Sequence, residues 1–319
     1  MFKILNKNII FQWFLLAVGL FILGYQITNI QLPKEPIGFP VFFNFIFQIA
    51  QKSLITYKII VTFIILLTLL FIQIYYSNNK YSQKPSIIPS IVYVSVLLLT
   101  HSSTTVTPIL FTNLFIILIL VINDYYFRFN SKSNIFYSGI LIGIAILFDP
   151  SAIFLILFLI IAMIINTVIN PKDLYIALMG LLTVLIFILA FFFFFDQLDI
   201  LFTNFKQIQL FSIFRNPIKL SVFQWVFIPL NIFIFLFIVF RINQYYDNKV
   251  IVLRKKIITF NALIFISFIT FFISNCTILQ LIGYYFIPFS IVISLFSQLK
   301  SKFFISEIIV ALFLIGLCL

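Results

Sequence analysis

The sequence predicts an all-helical, multi-spanning membrane protein with about eleven transmembrane spans. Hydrophobic residues make up 63% of its 319 positions, whereas charged residues make up only 9%. The mean hydropathy is +1.23. The charges lie between long apolar runs, and too few polar side chains remain to cover a soluble domain. We therefore expect helices whose outer faces contact lipid.

The charge and the cysteine content exclude several classes of protein. The net charge is +12, but the basic residues sit singly or in small groups beside apolar runs, so we expect no nucleic-acid partner. One histidine and two cysteines without a Cys-x-x-Cys spacing argue against a structural zinc or haem site. A divalent cation is the cofactor that stays open, as does a disulfide between Cys276 and Cys318.

The apolar runs define the candidate spans in order along the chain. The first follows the basic residues Lys3 and Lys7 and lacks a small-residue cleavage site, so we interpret it as an uncleaved signal anchor. Polar or charged turns separate the others, and together they form one transmembrane domain over 1–319. The predicted spans are 9–30, 59–76, 87–100, 107–127, 134–148, 151–169, 174–195, 222–240, 257–275, 278–296 and 303–319.

The distribution of basic residues predicts the orientation. With the N-terminus in the cytoplasm, fourteen of the twenty Lys and Arg residues fall on the cytoplasmic side, among them Arg254, Lys255 and Lys256. Cytoplasmic loops of membrane proteins are enriched in basic residues. The pattern therefore predicts a protein of the bacterial inner membrane whose N-terminus lies in the cytoplasm.

Two loops on the outer side are long enough to hold helices of their own. In the loop 31–58, polar side chains of the stretch 40–58 share one helical face, and apolar side chains occupy the rest. Polar residues are spaced similarly in the loop 196–220. Both patterns predict amphipathic helices that lie in the membrane interface.

Two predicted hairpins are short for a full crossing of the membrane. From Lys132 to Asp149 the chain has about 17 residues, roughly 25 Å of helix, and the stretch from Lys84 to His101 is as long. The hydrocarbon core is about 30 Å thick. We therefore expect the turns 100–108 and 149–150 to lie below the outer surface, in a polar pocket roofed by the first outer-loop helix.

A second interpretation is that these turns have a structural role only and form no pocket. Ser, Thr and Asp-Pro are common in turns between helices. Asp149 could cap the sixth helix, with Pro150 at its first position. His101 could likewise be an ordinary loop residue.

The interiors of the spans carry packing signals rather than charge. Gly139 and Gly143 lie four residues apart in the fifth span and predict close packing against another helix. No Asp, Glu, Lys or Arg lies at the middle of a predicted span, and no inverted repeat is evident. Both features argue against an ion-driven transporter.

The stretch 139–155 resembles part of a known superfamily. Its sequence, Gly139-Ile-Leu-Ile-Gly143-Ile-Ala-Ile-Leu-Phe-Asp149-Pro150-Ser151-Ala-Ile-Phe-Leu, is similar to a helix–turn–helix of membrane glycosyltransferases of the GT-C superfamily. The resemblance implies a GT-C-like core and the use of polyprenyl-phosphate-linked sugars, with a carboxylate in the first outer loop as base or metal ligand. From Pro108 to Gly180 the chain also resembles an uncharacterised family of polytopic membrane proteins from Bacteroidota, which implies no activity.

The resemblance and the predicted pocket select candidate catalytic residues. In a transferase of this kind, Glu35 is the expected base or metal ligand, and Asp149 and His101 are its expected partners in the pocket. Carboxylates suit these tasks because they accept protons and coordinate hard cations. A solvated loop charge is the structural alternative for Glu35.

Further candidates concern metal and lipid binding. Asp196 and Asp199 could hold a divalent cation, or could lie on the wet face of an interfacial helix. Arg215 and Lys219 could attract a lipid phosphate, or could mark the headgroup level. Ser102 and Thr104, in the polar turn, are the remaining candidates for substrate binding.

Two functions from different classes remain open. The first is transfer of a sugar or related group from a polyprenyl-phosphate carrier, or another lipid-handling activity, at the outer (periplasmic) face. The second is a non-catalytic role as a membrane scaffold, an assembly subunit or a pseudoenzyme of a larger complex. The expected partners are membrane lipid, a polyprenyl-phosphate carrier and, for the second function, another membrane protein.

Overall fold

The described part of the chain is helical throughout and contains no strand. In a computed structural model of the protein, the described residues are 9–28, 41–79, 86–99, 108–129, 131–166, 171–196, 251–273 and 287–295, with the single residues 198 and 240. The helices are α1 (Ile9–Thr28), α2 (Val41–Lys52), α3 (Leu54–Asn78), α4 (Ile88–Leu99), α5 (Ile109–Phe129), α6 (Lys132–Phe148), α7 (Leu155–Ile165), α8 (Pro171–Phe194) and α9 (Ile251–Ile273). A 3-10 helix, Pro150–Phe154, joins α6 to α7, and 287–295 is also helical.

Helices are confirmed at the first seven predicted spans and at the ninth, and 287–295 lies within the tenth. A helix is also confirmed within the first predicted outer loop, as α2, whereas its position in the membrane interface stays a prediction. Most of the eighth span, all of the eleventh and nearly all of the loop 196–220 fall outside the described residues. The order of helices along the chain therefore follows the predicted order wherever the two can be compared.

The boundary between α2 and α3 differs from the prediction. Ser53 is the single residue between these helices, in an extended conformation (φ −149, ψ 102), and its hydroxyl accepts a hydrogen bond from the Thr56 N–H. A serine in this position is a strong N-cap. The second span therefore begins at Leu54, five residues before the predicted start, and α2 leads directly into it.

Three helices of the described chain are long and apolar enough to cross a membrane, judged by length and composition: Leu54–Asn78, Leu110–Phe127 and Pro171–Phe194. By contrast, α4, α6 and α7 have only 12, 17 and 11 residues. The most apolar window of α8 is only 11% buried. Such a helix exposes a wide apolar face, as a lipid-facing helix does.

The closest helix–helix contact joins α6 and α8. A Cβ added to Gly139 would lie 2.0 Å from the Ala177 carbonyl oxygen, and one added to Gly180 would lie 2.3 Å from the Phe136 carbonyl oxygen. A Cβ at Gly143 would lie 2.9 Å from the Val184 Cβ. The close packing predicted for Gly139 and Gly143 is therefore confirmed, and α8 is the partner helix.

Polar side chains connect the other helices. The buried Gln12 of α1 accepts the Ile87 N–H through its Oε1 at 2.8 Å, which satisfies a free N–H just before α4. Lys58 of α3 donates to the Thr28 carbonyl, at the end of α1, at 2.6 Å. Both bonds tie α1 to its neighbours, as expected where apolar burial alone does not hold helices together.

The bundle has two ends, which we name by their residues. The Asp149 end holds the ends of α1, α6 and α8 and the starts of α3 and α5. The Lys256 end holds the start of α9, the ends of α3, α5 and α7, and the starts of α6 and α8. In the predicted orientation the Asp149 end faces outward and the Lys256 end faces the cytoplasm.

Candidate functional site

The Asp149 turn follows α6 directly and is fixed by its backbone. The Asp149 N–H donates to the Ala145 carbonyl at 2.8 Å, and its own carbonyl accepts the Ala152 N–H at 2.9 Å. The side chain of Asp149 is only 4% exposed. Pro150 is the first residue of the helical segment that follows, which begins as a 3-10 helix and continues as α7.

An aromatic cluster surrounds the residue next to Asp149. The ring of Phe148 stacks on Phe111 with centroids 5.2 Å apart and lies 5.5 Å from the ring of Phe115. On another side it stacks on Phe42 of α2 at 5.8 Å. The first outer-loop helix therefore lies against the end of α6, beside the Asp149 turn.

Two further polar side chains are buried near the Asp149 end. Tyr57 lies in the first turn of α3 and Asn113 near the start of α5, and both are fully buried. The Tyr57 hydroxyl has no hydrogen-bond partner in the part of the chain that the structure describes. A buried polar atom without a partner is costly and uncommon. Neither residue is among the sequence predictions: Tyr57 lies in the predicted loop 31–58, and Asn113 lies in the apolar run of the fourth span.

Asp196 lies at the same end but is exposed. It follows α8 with a positive φ of 52°, a conformation that Asp tolerates better than most residues, and its N–H donates to the Phe193 carbonyl at 3.1 Å. Asp196 thus terminates α8. Its proposed metal-binding partner, Asp199, lies outside the described residues.

The other predicted site residues also lie outside the described residues, so the structure does not place them. They are Glu35, His101, Ser102, Thr104, Arg215 and Lys219. Among the residues that are described, no three or more His, Cys, Asp or Glu side chains gather as a metal site would require. The pocket predicted around the two turns therefore stays a prediction.

A cleft of about 190 Å³ opens at the Lys256 end. Its charged core is an ion pair between the Lys256 Nζ and the Asp124 Oδ1, 2.7 Å apart, with the two side chains 14% and 12% exposed. The Lys256 ammonium also donates to the Asn79 Oδ1. Asn79 in turn donates from its Nδ2 to the Tyr75 carbonyl at 2.9 Å, which caps α3.

Two more buried polar pairs lie at this end. The Ser138 hydroxyl of α6 donates to the Asn123 Oδ1 of α5 at 2.8 Å. The Tyr126 hydroxyl donates to the Asp173 Oδ2 of α8 at 2.9 Å. Together they join α6 and α8 to α5. Sequence analysis missed them because Asn123, Asp124 and Tyr126 appeared only as the polar end of a span.

No protein-family model, no curated protein and no solved structure matches the chain. The likeness to the GT-C superfamily and to the Bacteroidota family therefore stays a prediction. The buried polar residues at the two ends of the bundle are the remaining indication of function.

Proposed function

We propose that the protein is an inner-membrane protein of about eleven spans with a GT-C-like core, which transfers or handles a polyprenyl-phosphate-linked group at the Asp149 end. In this proposal the N-terminus is cytoplasmic and the Asp149 end faces outward. The observation that carries the proposal is the buried carboxylate of Asp149, at the junction of two helices and beside the loop helix α2.

The depth of the Asp149 turn supports this function. With 17 residues, α6 is about 25 Å long, whereas the hydrocarbon core is about 30 Å thick. A turn that ends inside the core places polar backbone where only protein or a water-filled cavity can solvate it. Ionisable side chains at such depth are costly and are commonly functional.

The neighbours of the turn suit a lipid-linked substrate. The Phe148 cluster supplies an apolar surface for a prenyl chain, and the Tyr57 hydroxyl is a hydrogen-bond donor within the same end of the bundle. The Asp149 carboxylate supplies a base or an oxygen ligand for a divalent cation. Glu35 and His101 are the other two residues of the proposed catalytic site.

Replacing Asp149 with Asn tests the function, since Asn keeps the size of the side chain but removes the charge. In proteoliposomes that contain a polyprenyl phosphate carrying a labelled sugar, wild-type protein is expected to transfer the labelled sugar to water, the acceptor present in this assay, and to leave the free polyprenyl phosphate. Asp149→Asn is expected to lower that rate at least about 100-fold, the usual contribution of a general base. The amount of folded protein is expected to stay the same.

Asp173→Asn is the matched control. Asp173 is also 4% exposed, but it lies at the opposite end of the bundle. The Asp173→Asn substitution removes a buried carboxylate but leaves the Asp149 turn unchanged, so release of the label should continue. Equal release by wild type and Asp149→Asn, or equal loss in both variants, would remove the catalytic role of Asp149.

The exposed apolar face of α8 favours a second candidate function, the non-catalytic scaffold. Large side chains cover that face, among them Ile186, Phe187 and Phe194. It offers a surface for a partner helix as well as for lipid. Unchanged function of the Asp149→Asn variant in the cell, together with a stoichiometric partner after gentle extraction, would favour this candidate.

A further inference from the structure

Polar and apolar side chains both line the cleft at the Lys256 end. The polar lining residues include Asn123, Lys255, Lys256 and Thr259, and the apolar ones include Leu120 and Phe158. The cleft lies where α5 and α7 end and α9 begins. A molecule that fills it therefore meets cationic and hydrogen-bonding groups as well as hydrocarbon.

The charge of the lining favours an anion. Lys255 and Lys256 both line the cleft, and Asp124 is the acidic residue among the lining residues. The ion pair with Asp124 holds the Lys256 Nζ 2.7 Å from the Asp124 Oδ1. Among the lining residues, two ammonium groups therefore accompany one carboxylate.

Asn123 supplies an independent indication of a ligand. Its side chain is only 3% exposed, and its Oδ1 is occupied by the Ser138 hydroxyl. Its Nδ2 is buried and has no hydrogen-bond partner within the described chain, and Asn123 is one of the residues that line the cleft. Leaving such a donor unsatisfied costs free energy that an acceptor oxygen of a ligand would recover.

We propose that this cleft binds the phosphate group of an anionic glycerophospholipid. The Asn123 Nδ2 and the ammonium groups of Lys255 and Lys256 hold the phosphate oxygens, and an acyl chain lies along Leu120 and Phe158. Basic groups near a membrane surface attract anionic lipid headgroups, and the apolar lining residues favour a lipid over free phosphate. This lipid site lies at the opposite end from Asp149 and does not depend on the function proposed for that end.

The experiment compares two neighbouring basic residues. Full-length protein is purified in neutral detergent and stripped of lipid, and binding of phosphatidylglycerol and phosphatidylcholine is titrated by native mass spectrometry. Lys255→Gln removes a charge that lines the cleft, while Arg254→Gln removes the same charge from an exposed neighbour outside it. We expect Lys255→Gln to weaken phosphatidylglycerol binding about fivefold and Arg254→Gln to leave it within about twofold of wild type.

A second variant tests the amide. Asn123→Asp keeps the oxygen that accepts from Ser138 but replaces the unsatisfied donor with an acceptor. We expect it to lose the preference for phosphatidylglycerol over phosphatidylcholine, with thermal unfolding in detergent showing that the protein is folded. Lys255→Gln tests the same cleft at a half-buried position, and its thermal unfolding is measured in the same way.

Competition with inorganic phosphate distinguishes a lipid phosphate from free phosphate as the ligand of the cleft. If the lipid is the ligand, a large molar excess of phosphate leaves phosphatidylglycerol bound. Displacement by phosphate would overturn the lipid assignment. Equal losses in Lys255→Gln and Arg254→Gln, or binding of both lipids with equal affinity by wild type, would overturn the site itself. Because Asp149 takes no part, failure here leaves the proposed function untouched.

Discussion

At the scale of single residues, the buried polar side chains of the Lys256 end have specific partners on other helices. Lys256 pairs with Asp124, Ser138 with Asn123, and Tyr126 with Asp173. Within an apolar bundle a polar group without a partner costs more than the bond itself contributes. These pairs therefore determine which helices lie next to each other as well as how stable the bundle is.

Tyr126→Phe tests one such pair. The change removes the hydroxyl that donates to the Asp173 Oδ2, while the other carboxylate oxygen has no partner in the described chain. Because Asp173 is buried, we expect the free energy of unfolding to fall by about 1–3 kcal/mol. Reversible unfolding in mixed micelles measures this change in the free energy of unfolding.

Tyr125→Phe is the control for that change. Tyr125 is the preceding residue, is 41% exposed and makes a ring contact with Phe129. Removing its hydroxyl should alter the free energy of unfolding by less than about 0.5 kcal/mol. A similar loss in both variants would show that Asp173 gains nothing from Tyr126.

The sequence predicted charges at the ends of spans but could not predict their pairing. Arg254, Lys255 and Lys256 were interpreted only as residues that orient the chain, and the structure adds the ion pair between Lys256 and Asp124. The two residues lie on helices far apart in the sequence, so their contact depends on tertiary packing. Asp149 was selected from its place after an apolar run, and that placement at a turn is confirmed.

At the scale of helices, the contact between α6 and α8 depends on side chains being absent. Gly139 and Gly180 allow the two backbones to approach closely, and each faces a carbonyl oxygen of the other helix. Close approach of this kind replaces hydrophobic burial as the force between helices in lipid. The contact is consequently sensitive to a single methyl group.

Gly139→Ala is expected to destabilise the bundle. The new Cβ would lie 2.0 Å from the Ala177 carbonyl oxygen, which is backbone and cannot rotate away. Overpacking of this kind costs about 1–3 kcal/mol, which outweighs the higher helix propensity of Ala, about 1 kcal/mol. The midpoint of thermal unfolding measures the loss.

Gly24→Ala serves as the matched substitution. A Cβ at Gly24 meets no atom within 4 Å. The same exchange should therefore leave stability unchanged or raise it slightly. An equal effect at both glycines would mean that α6 and α8 do not approach as closely as described.

Helix positions could be predicted from the apolar runs, whereas helix ends could not. The start of α3 is fixed by the cap at Ser53, which a hydropathy pattern does not reveal because Ser also occurs inside spans. The apolar run after the predicted turn at 149–150 likewise does not reveal that Pro150–Phe154 forms a 3-10 helix before α7 begins. Hydropathy follows burial in lipid and is insensitive to the local hydrogen-bond pattern.

At the scale of the whole molecule, the proposed orientation places the two ends on opposite sides of the membrane. We test it by cysteine labelling in a Cys276→Ser, Cys318→Ser background. Phe195→Cys follows α8 at the Asp149 end and Lys132→Cys begins α6 at the other end, and both positions are exposed. A membrane-impermeant maleimide should label position 195 in intact spheroplasts and position 132 only after permeabilisation.

Each of the two labelled positions serves as the experimental control for the other. Labelling in the reverse pattern would invert the orientation and place the Asp149 turn on the cytoplasmic side. Labelling of both positions in intact cells would contradict a membrane crossing by α6 or α8. Full reaction of both cysteines in detergent shows that each thiol is reachable.

The overall arrangement could be predicted in part. Composition and run length were sufficient for an all-helical chain and for the succession of α1 to α9. They could not show that α6 lies between α5 and α8, since that arrangement depends on Gly139, Gly180 and Ser138. The grouping of Glu35, His101 and Asp149 stays a prediction, because sequence spacing alone does not place residues on different loops together.

The unequal lengths of the helices have a consequence for the surrounding lipid. With 25 residues, α3 is about 38 Å long, whereas α4 and α6 are about 18 Å and 25 Å long. In the proposed membrane arrangement, α3 would tilt to fit a hydrocarbon layer of about 30 Å. Because α4 and α6 are largely buried among other helices, neighbouring protein rather than the bilayer would accommodate their shorter lengths.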